Sequence, residues 1–262
     1  MTTIGAIISY VESLSGHPLN RDEGVQHGSA DRTISGVTVC WMATPEAIRT
    51  AGTRGGELLI GHESLYYPYD VINSPDPPAG WEGWQVNRQR RELLTEHDLT
   101  FLRVHGSLDE ICIFDDFVAR LGLATSVYAD GLVKVFEIEP CTLGELVERV
   151  KARMGMPALR VSAARGMDQV VHRVGLPWGG LGLFVNVGYQ QRLIEQGCDV
   201  FIAGESDNYG FRFAAECGIP MIETSHELSE NDGLQRFTRM LSHEFPNVRC
   251  RFFENACAWT VR

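Results

Sequence analysis

Short apolar runs alternate along the chain with stretches of helical period, the pattern of an α/β fold. Ile34 to Trp41 reads as a strand, and Thr44-Pro45 opens a helix with a hydroxyl at the N-cap and proline in the first turn. Glu57 to Ile60 is a second strand, ending at Gly61-His62-Glu63. Tyr66 to Gly80, rich in proline, tyrosine and glycine, is too long for an idle turn, and a lid or an oligomer contact are the roles open to it. Trp84 to His97 reads as a polar helix and Leu99 to Val104 as a strand ending at His105-Gly106. Ile111, Phe114, Val118 and Leu121 mark one face of the next helix.

Beyond a strand at Val133 to Ile138, Thr142 and Glu145 form a capping box for a helix through Met154. Ala158 to Ser162 and Val170 to Gly175 read as short strands, Tyr189 to Gln196 as a helix, and Asp199 to Ala203 as a strand ending at Gly204-Glu205. A further helix leads to Met221-Ile222; a last helix from Asp232 to Glu244 and a strand from Val248 to Phe253 close the chain. Both halves share the alternation, so the expected organisation is a first lobe over 1–125 and a second over 126–262.

A net charge of −11 disfavours nucleic acid and anionic membranes as partners. The densest basic group, Arg88, Arg90 and Arg91, reads as the solvated face of a helix. The seven cysteines lack C-x-x-C spacing and read as reduced core thiols of a cytoplasmic protein. No apolar run approaches the ~18 residues of a membrane span.

Three clusters carry candidate chemistry: His62-Glu63, His105 with Asp109, and His226 with Glu230. Each sets an imidazole and a carboxylate just past a strand's C-terminal end, where open α/β sheets build their sites. Taken singly, each also fits a helix-capping role. Together they form the usual donor set for iron, zinc or manganese. Three carboxylates gathered without counter-charge would repel one another. Two divalent cations and a bridging hydroxide balance them. Glu205 is a candidate proton shuttle, with helix capping as the competing reading. Gly179-Gly180-Leu181-Gly182 lacks the spacing and lysine of a phosphate cradle and reads as a tight turn. Gly24-Val25-Gln26-His27-Gly28 reads as a loop, either a pocket wall or a plain turn.

The order of these pieces resembles the NIF-three-like family (NGG-one-interacting factor three), also labelled GTP cyclohydrolase I type two homologues. The resemblance covers the Gly24–Gly28 loop and the strand ending His62-Glu63. It continues through His105-Gly106-Ser107-Leu108-Asp109, the strand Asp199 to Glu205, and His226 with Glu230. It implies two similar α/β lobes with mixed sheets, no inserted domain and a two-metal site in the cleft between them. It implies His62, Glu63, Asp109, His226 and Glu230 as ligands, with His105 as a sixth, and a homohexameric ring. Two departures stand out: Glu63 replaces the family's second histidine, and Ser107 its usual asparagine. The extra carboxylate hardens the site and favours iron or manganese over zinc, with zinc still open. The expected function is a metal-dependent hydrolase of a small-molecule substrate; the alternative is a non-catalytic metal-binding regulator or metal chaperone.

Overall fold

The computed structural model describes residues 1–163 and 165–260. The chain forms two compact units: Met1–Ile113 with Gly233–Asn255, and Phe114–Asp232 with the segment from Ala256. The first unit opens with β1 (Thr2–Thr3) and α1 (Ile4–Ser15), a helix the apolar pattern had not marked. Thr3 caps it by accepting the Ala6 N–H, and Ile4, Ile7 and Val11 line its buried face. The segment expected to be a Gly24–Gly28 loop is instead strand β2 (Gly24–His27), antiparallel to a later strand and bulged between Val25 and His27. Its polar composition hid it, because the partner strand supplies its order. A hollow of about 660 Å³ does open beside it, lined by His27, Gly28, Arg32 and Asp98 among others.

β3 (Thr33–Ile34) pairs with β1, and β4 (Gly36–Cys40), α2 (Pro45–Thr53), β5 (Leu58–Gly61), α3 (Gln85–Glu96) and β6 (Thr100–Arg103) follow. Thr44 caps α2 with Pro45 in its first turn, as the sequence indicates. β4, β5 and β6 are parallel, so their C-terminal ends share one edge, where His62-Glu63 and His105 emerge. Arg90 corrects the solvated-face expectation. It is buried, donates to the Leu65 carbonyl (2.6 Å) and lies 4.9 Å from the centre of the Tyr67 ring, while Arg88 stays exposed. Helical backbone resumes as α4 (Gly106–Leu108) and widens into a π turn at Asp109–Ile113. That wider turn rotates the face: Cys112, Ile113, Phe114, Phe117 and Leu121 are buried, and Ile111 and Val118 only half-buried.

The second unit comprises α5 (Phe114–Leu121), β7 (Thr125–Asp130), β8 (Val133–Thr142), α6 (Leu143–Met154), β9 (Arg160–Ser162), β10 (Val170–Gly175), α7 (Val187–Glu195), β11 (Val200–Ala203), α8 (Asn208–Glu216) and β12 (Met221–Glu223). Its sheet runs β7-β8-β10-β11-β12-β9. The three central strands β10, β11 and β12 are parallel, with antiparallel β8 and β9 on their flanks. The Thr142–Glu145 capping box forms at the start of α6.

α9 (His226–Glu244) begins in the second unit, six residues before the expected start at Asp232, and ends in the first. The Ser225 hydroxyl accepts the Leu228 N–H at its start. β13 (Arg249–Phe253) then pairs in parallel with β4, giving the first unit's sheet the order β13-β4-β5-β6-β2. A boundary at 125 therefore differs from the packing, since 114–125 belong with the second unit and 233–255 with the first; residues 164, 261 and 262 of the expected second lobe lie outside the described set. Three of the seven free cysteines are buried, three half-buried, and Cys217 is exposed, so the core-thiol expectation holds for Cys40, Cys112 and Cys198. Among the described residues no helix is long and apolar enough to cross a membrane.

Candidate metal centre

In the first unit, β5 ends by delivering His62 and Glu63 into a buried turn, where the Glu63 N–H donates to the Trp41 carbonyl at 2.8 Å. His62 Nδ1 lies 3.3 Å from the Val104 carbonyl oxygen. A carbonyl can only accept, so Nδ1 carries the proton and Nε2 keeps its lone pair for a metal. His105, past β6, sets its Nδ1 2.8 Å from Asp22 Oδ2, which fixes the same tautomer. The two rings stand 4.8 Å apart, centre to centre, at 60°. Donor atoms of His62, Glu63 and His105 all lie within 4.8 Å of one another, and an Asp109 oxygen lies within the same distance of a His62 nitrogen.

Residues far off in sequence hold this cluster. Glu23 Oε1 accepts the N–H groups of His105 (2.7 Å) and Ser107 (2.9 Å), and its Oε2 accepts the Ser107 hydroxyl (2.7 Å). Ser107 is thus tied to Glu23. The hydrogen bond from His105, with the Arg103 charge adding to it, holds the Asp22 carboxyl down at about 2, against the upward push of burial. Arg103 is fully buried, 3.2 Å from Asp22 and 3.3 Å from Asp70, and donates to the Tyr69 hydroxyl at 2.9 Å. The sequence reading missed Asp22, Glu23, Tyr69 and Arg103. The one local signal was an acidic pair, Asp22-Glu23, just before the Gly24–Gly28 motif.

In the second unit, His226 opens α9 and Glu230 follows one turn later, which brings His226 Nε2 within 3.4 Å of Glu230 Oε1. His226 Nδ1 meets Glu205 Oε2 at 3.0 Å, so this third imidazole is also held through Nδ1. Glu205 does not cap α8; Asp207 does, accepting the Gly210 N–H at 2.7 Å. The glycine turn at 179–182 lies against these two side chains. A Cβ on Gly179 (φ +51°) would fall 2.1 Å from Glu230 Oε1, and one on Gly180 would fall 3.3 Å from His226 Cε1. Only glycine lets the backbone come so close to the donors.

The family model described as Duf34/NIF3 (NGG1p interacting factor 3) matches residues 2–257. The chain belongs to the DUF34/NIF3 family. Two curated relatives are each named GTP cyclohydrolase 1 type 2 homolog. One, from Neisseria meningitidis, is 23% identical over 232 residues, covering 85% of each chain. Another, from Allochromatium vinosum, is 28% identical over 221 residues, covering 82% of this chain and 79% of its own length. Among solved structures, Staphylococcus aureus protein SA1388 superposes with a TM-score of 0.79 at 16% identity, covering 100% of this chain and 99% of that one. The DUF34/NIF3 fold thus accounts for the mixed α/β architecture, and the groups of possible ligands stand at strand ends and in the helical turns that follow them.

Proposed function

We propose that the chain holds two divalent metal ions and acts with them as a hydrolase on a small-molecule substrate. One observation carries this reading: His62, His105 and His226 each engage an oxygen through Nδ1, which leaves Nε2 as the donor, with carboxylates alongside. Imidazoles oriented in this way are the ligand chemistry of iron, manganese and zinc sites. In the proposal His62, Glu63, His105 and Asp109 supply donors from the first unit, and His226 and Glu230 from the second. The carboxylate of Glu63 makes iron or manganese the preferred ions.

When bound, such a pair lowers the pKa of coordinated water and polarises a scissile bond. The chain's own residues orient and balance. The Val104 carbonyl, Asp22 and Glu205 fix the three rings, and Glu63, Asp109 and Glu230 supply the negative charge. Glu205, expected as a proton shuttle, is assigned the orienting role by its bond to His226 Nδ1. A cytoplasmic homohexamer belongs to the same proposal, and light scattering tests the assembly.

A panel of phosphoesters, cyclic amidines and peptides, run with iron, manganese and zinc, tests the hydrolase; the relatives' name, a cyclohydrolase homolog, makes cyclic amidines one arm. Metal-dependent turnover that His226→Ala abolishes supports it. Metal binding with no turnover across the panel rejects it in favour of a metal-binding regulator or chaperone.

A further inference from the structure

We propose that the Tyr69 hydroxyl donates a hydrogen bond to an anionic oxygen, such as that of a phosphate group, on the molecule that occupies the site beside His105. This role rests on the metal reading above. Tyr69 lies in the proline- and tyrosine-rich segment after β5, whose first half is pinned. The Asn87 side chain accepts the Tyr67 N–H (2.8 Å) and donates to the carbonyls of Tyr67 (2.6 Å) and Trp81 (2.8 Å). The Asp70 N–H donates to the Ser64 hydroxyl at 3.0 Å. Tyr69 is therefore held in place on both sides.

Its hydroxyl is aimed as well. Arg103 donates to the Tyr69 oxygen at 2.9 Å, and a guanidinium has no acceptor, so the phenolic proton must point elsewhere. The partner it finds is His105 Nε2 at 3.5 Å, the outer limit of a hydrogen bond, with the rings 6.2 Å apart. The proton is thus directed at the side of His105 that faces the other donors, and it is poorly satisfied there. Once Nε2 is taken by a metal it accepts nothing, and the hydroxyl is left to an incoming ligand. Asp22 and Asp70 already balance the charge of Arg103, which makes it a rigid support rather than the ligand's counter-ion. Tyr69 is 59% exposed as a residue, so a ligand can approach this side from solvent. Divalent cations draw anionic oxygens to the same place.

Tyr69→Phe removes the donor and, with it, the oxygen that accepts from Arg103. Metal content, thermal melting and titration with inorganic phosphate are compared between the metal-loaded full-length variant and the wild type. The expected result is unchanged metal content, melting lowered by a few degrees through the lost Arg103 bond, and phosphate bound about tenfold more weakly, the worth of one hydrogen bond to a charged acceptor. Equal phosphate affinity in the two proteins overturns the role. So does a variant that loses metal, because Tyr69 then supports the donor set. A wild-type chain that binds metal but no phosphate at millimolar concentration overturns it as well. Metal uptake is measured first and separately, so a chain that takes up none refutes the metal reading, and this role with it.

Discussion

Gly179 backs onto the proposed donors of the second unit. A Cβ added there would lie 2.1 Å from Glu230 Oε1 and 3.2 Å from both Glu230 Cδ and His226 Nε2. The obstructing atom is the tip of a flexible side chain, so Gly179→Ala can be accommodated by swinging the Glu230 carboxylate away. Folding then loses little beyond the left-handed backbone at φ +51°, which costs a residue with a Cβ about 1–2 kcal/mol, or about 2–8 °C in Tm. Metal affinity bears the larger effect, because the displaced group is a donor; we expect a loss of about 10–100-fold. Gly204→Ala is the contrast. Its Cβ would meet Gly179 O at 2.4 Å and Gly179 N at 2.5 Å, backbone atoms that cannot swing aside, so about 3 kcal/mol or more falls on folding itself. Calorimetric melting and competition with a chromophoric chelator measure the two quantities separately. A Gly179→Ala protein that is destabilised yet binds metal like the wild type would refute the reasoning.

Further outcomes follow from the supporting residues. Glu23→Ala leaves the His105 and Ser107 N–H groups without their acceptor and is expected to cost about 2–3 kcal/mol in urea unfolding; a loss under about 0.5 kcal/mol would show that the turn holds itself. Asp22 titrates at about 2 in the folded chain against an ordinary 3.8, so its stabilisation is complete above the higher value and disappears as pH falls through the lower. Wild-type stability should therefore fall more steeply across that window than that of Asp22→Asn, and parallel acid limbs would contradict the assignment. Thr142→Ala removes the α6 cap and should cost about 1 kcal/mol with no change in metal binding. A shift in metal affinity in that variant would mean the two are coupled.

The strands that carry ligands were legible because they are buried. β5, β6 and β12 lie wholly in the interior, and the histidine at or just past the end of each is conspicuous. β2 and β7 are polar, partly or largely exposed edge strands that owe their order to β6 and β8, and no local pattern marks them. α1 was hidden for a different reason: its Ile7-Ile8 and Val11 are β-branched and fit a strand as well as a helix. The first turns of α9 bury Glu227, Ser229, Glu230 and Asn231, so the apolar stripe begins only at Leu234 and the helix seems to start late. The histidines themselves could be read from the sequence, whereas what orients them could not. Asp22 lies 83 residues from His105, and Glu205 lies 21 from His226, so only the folded chain brings each pair together.

The central claim is the metal pair, and elemental analysis of the protein purified without added metal tests it most directly. The account predicts two divalent ions per chain, with iron or manganese exceeding zinc, and loss of bound metal in His226→Ala. A chain that carries no ion, or one ion that survives loss of His226, would contradict it.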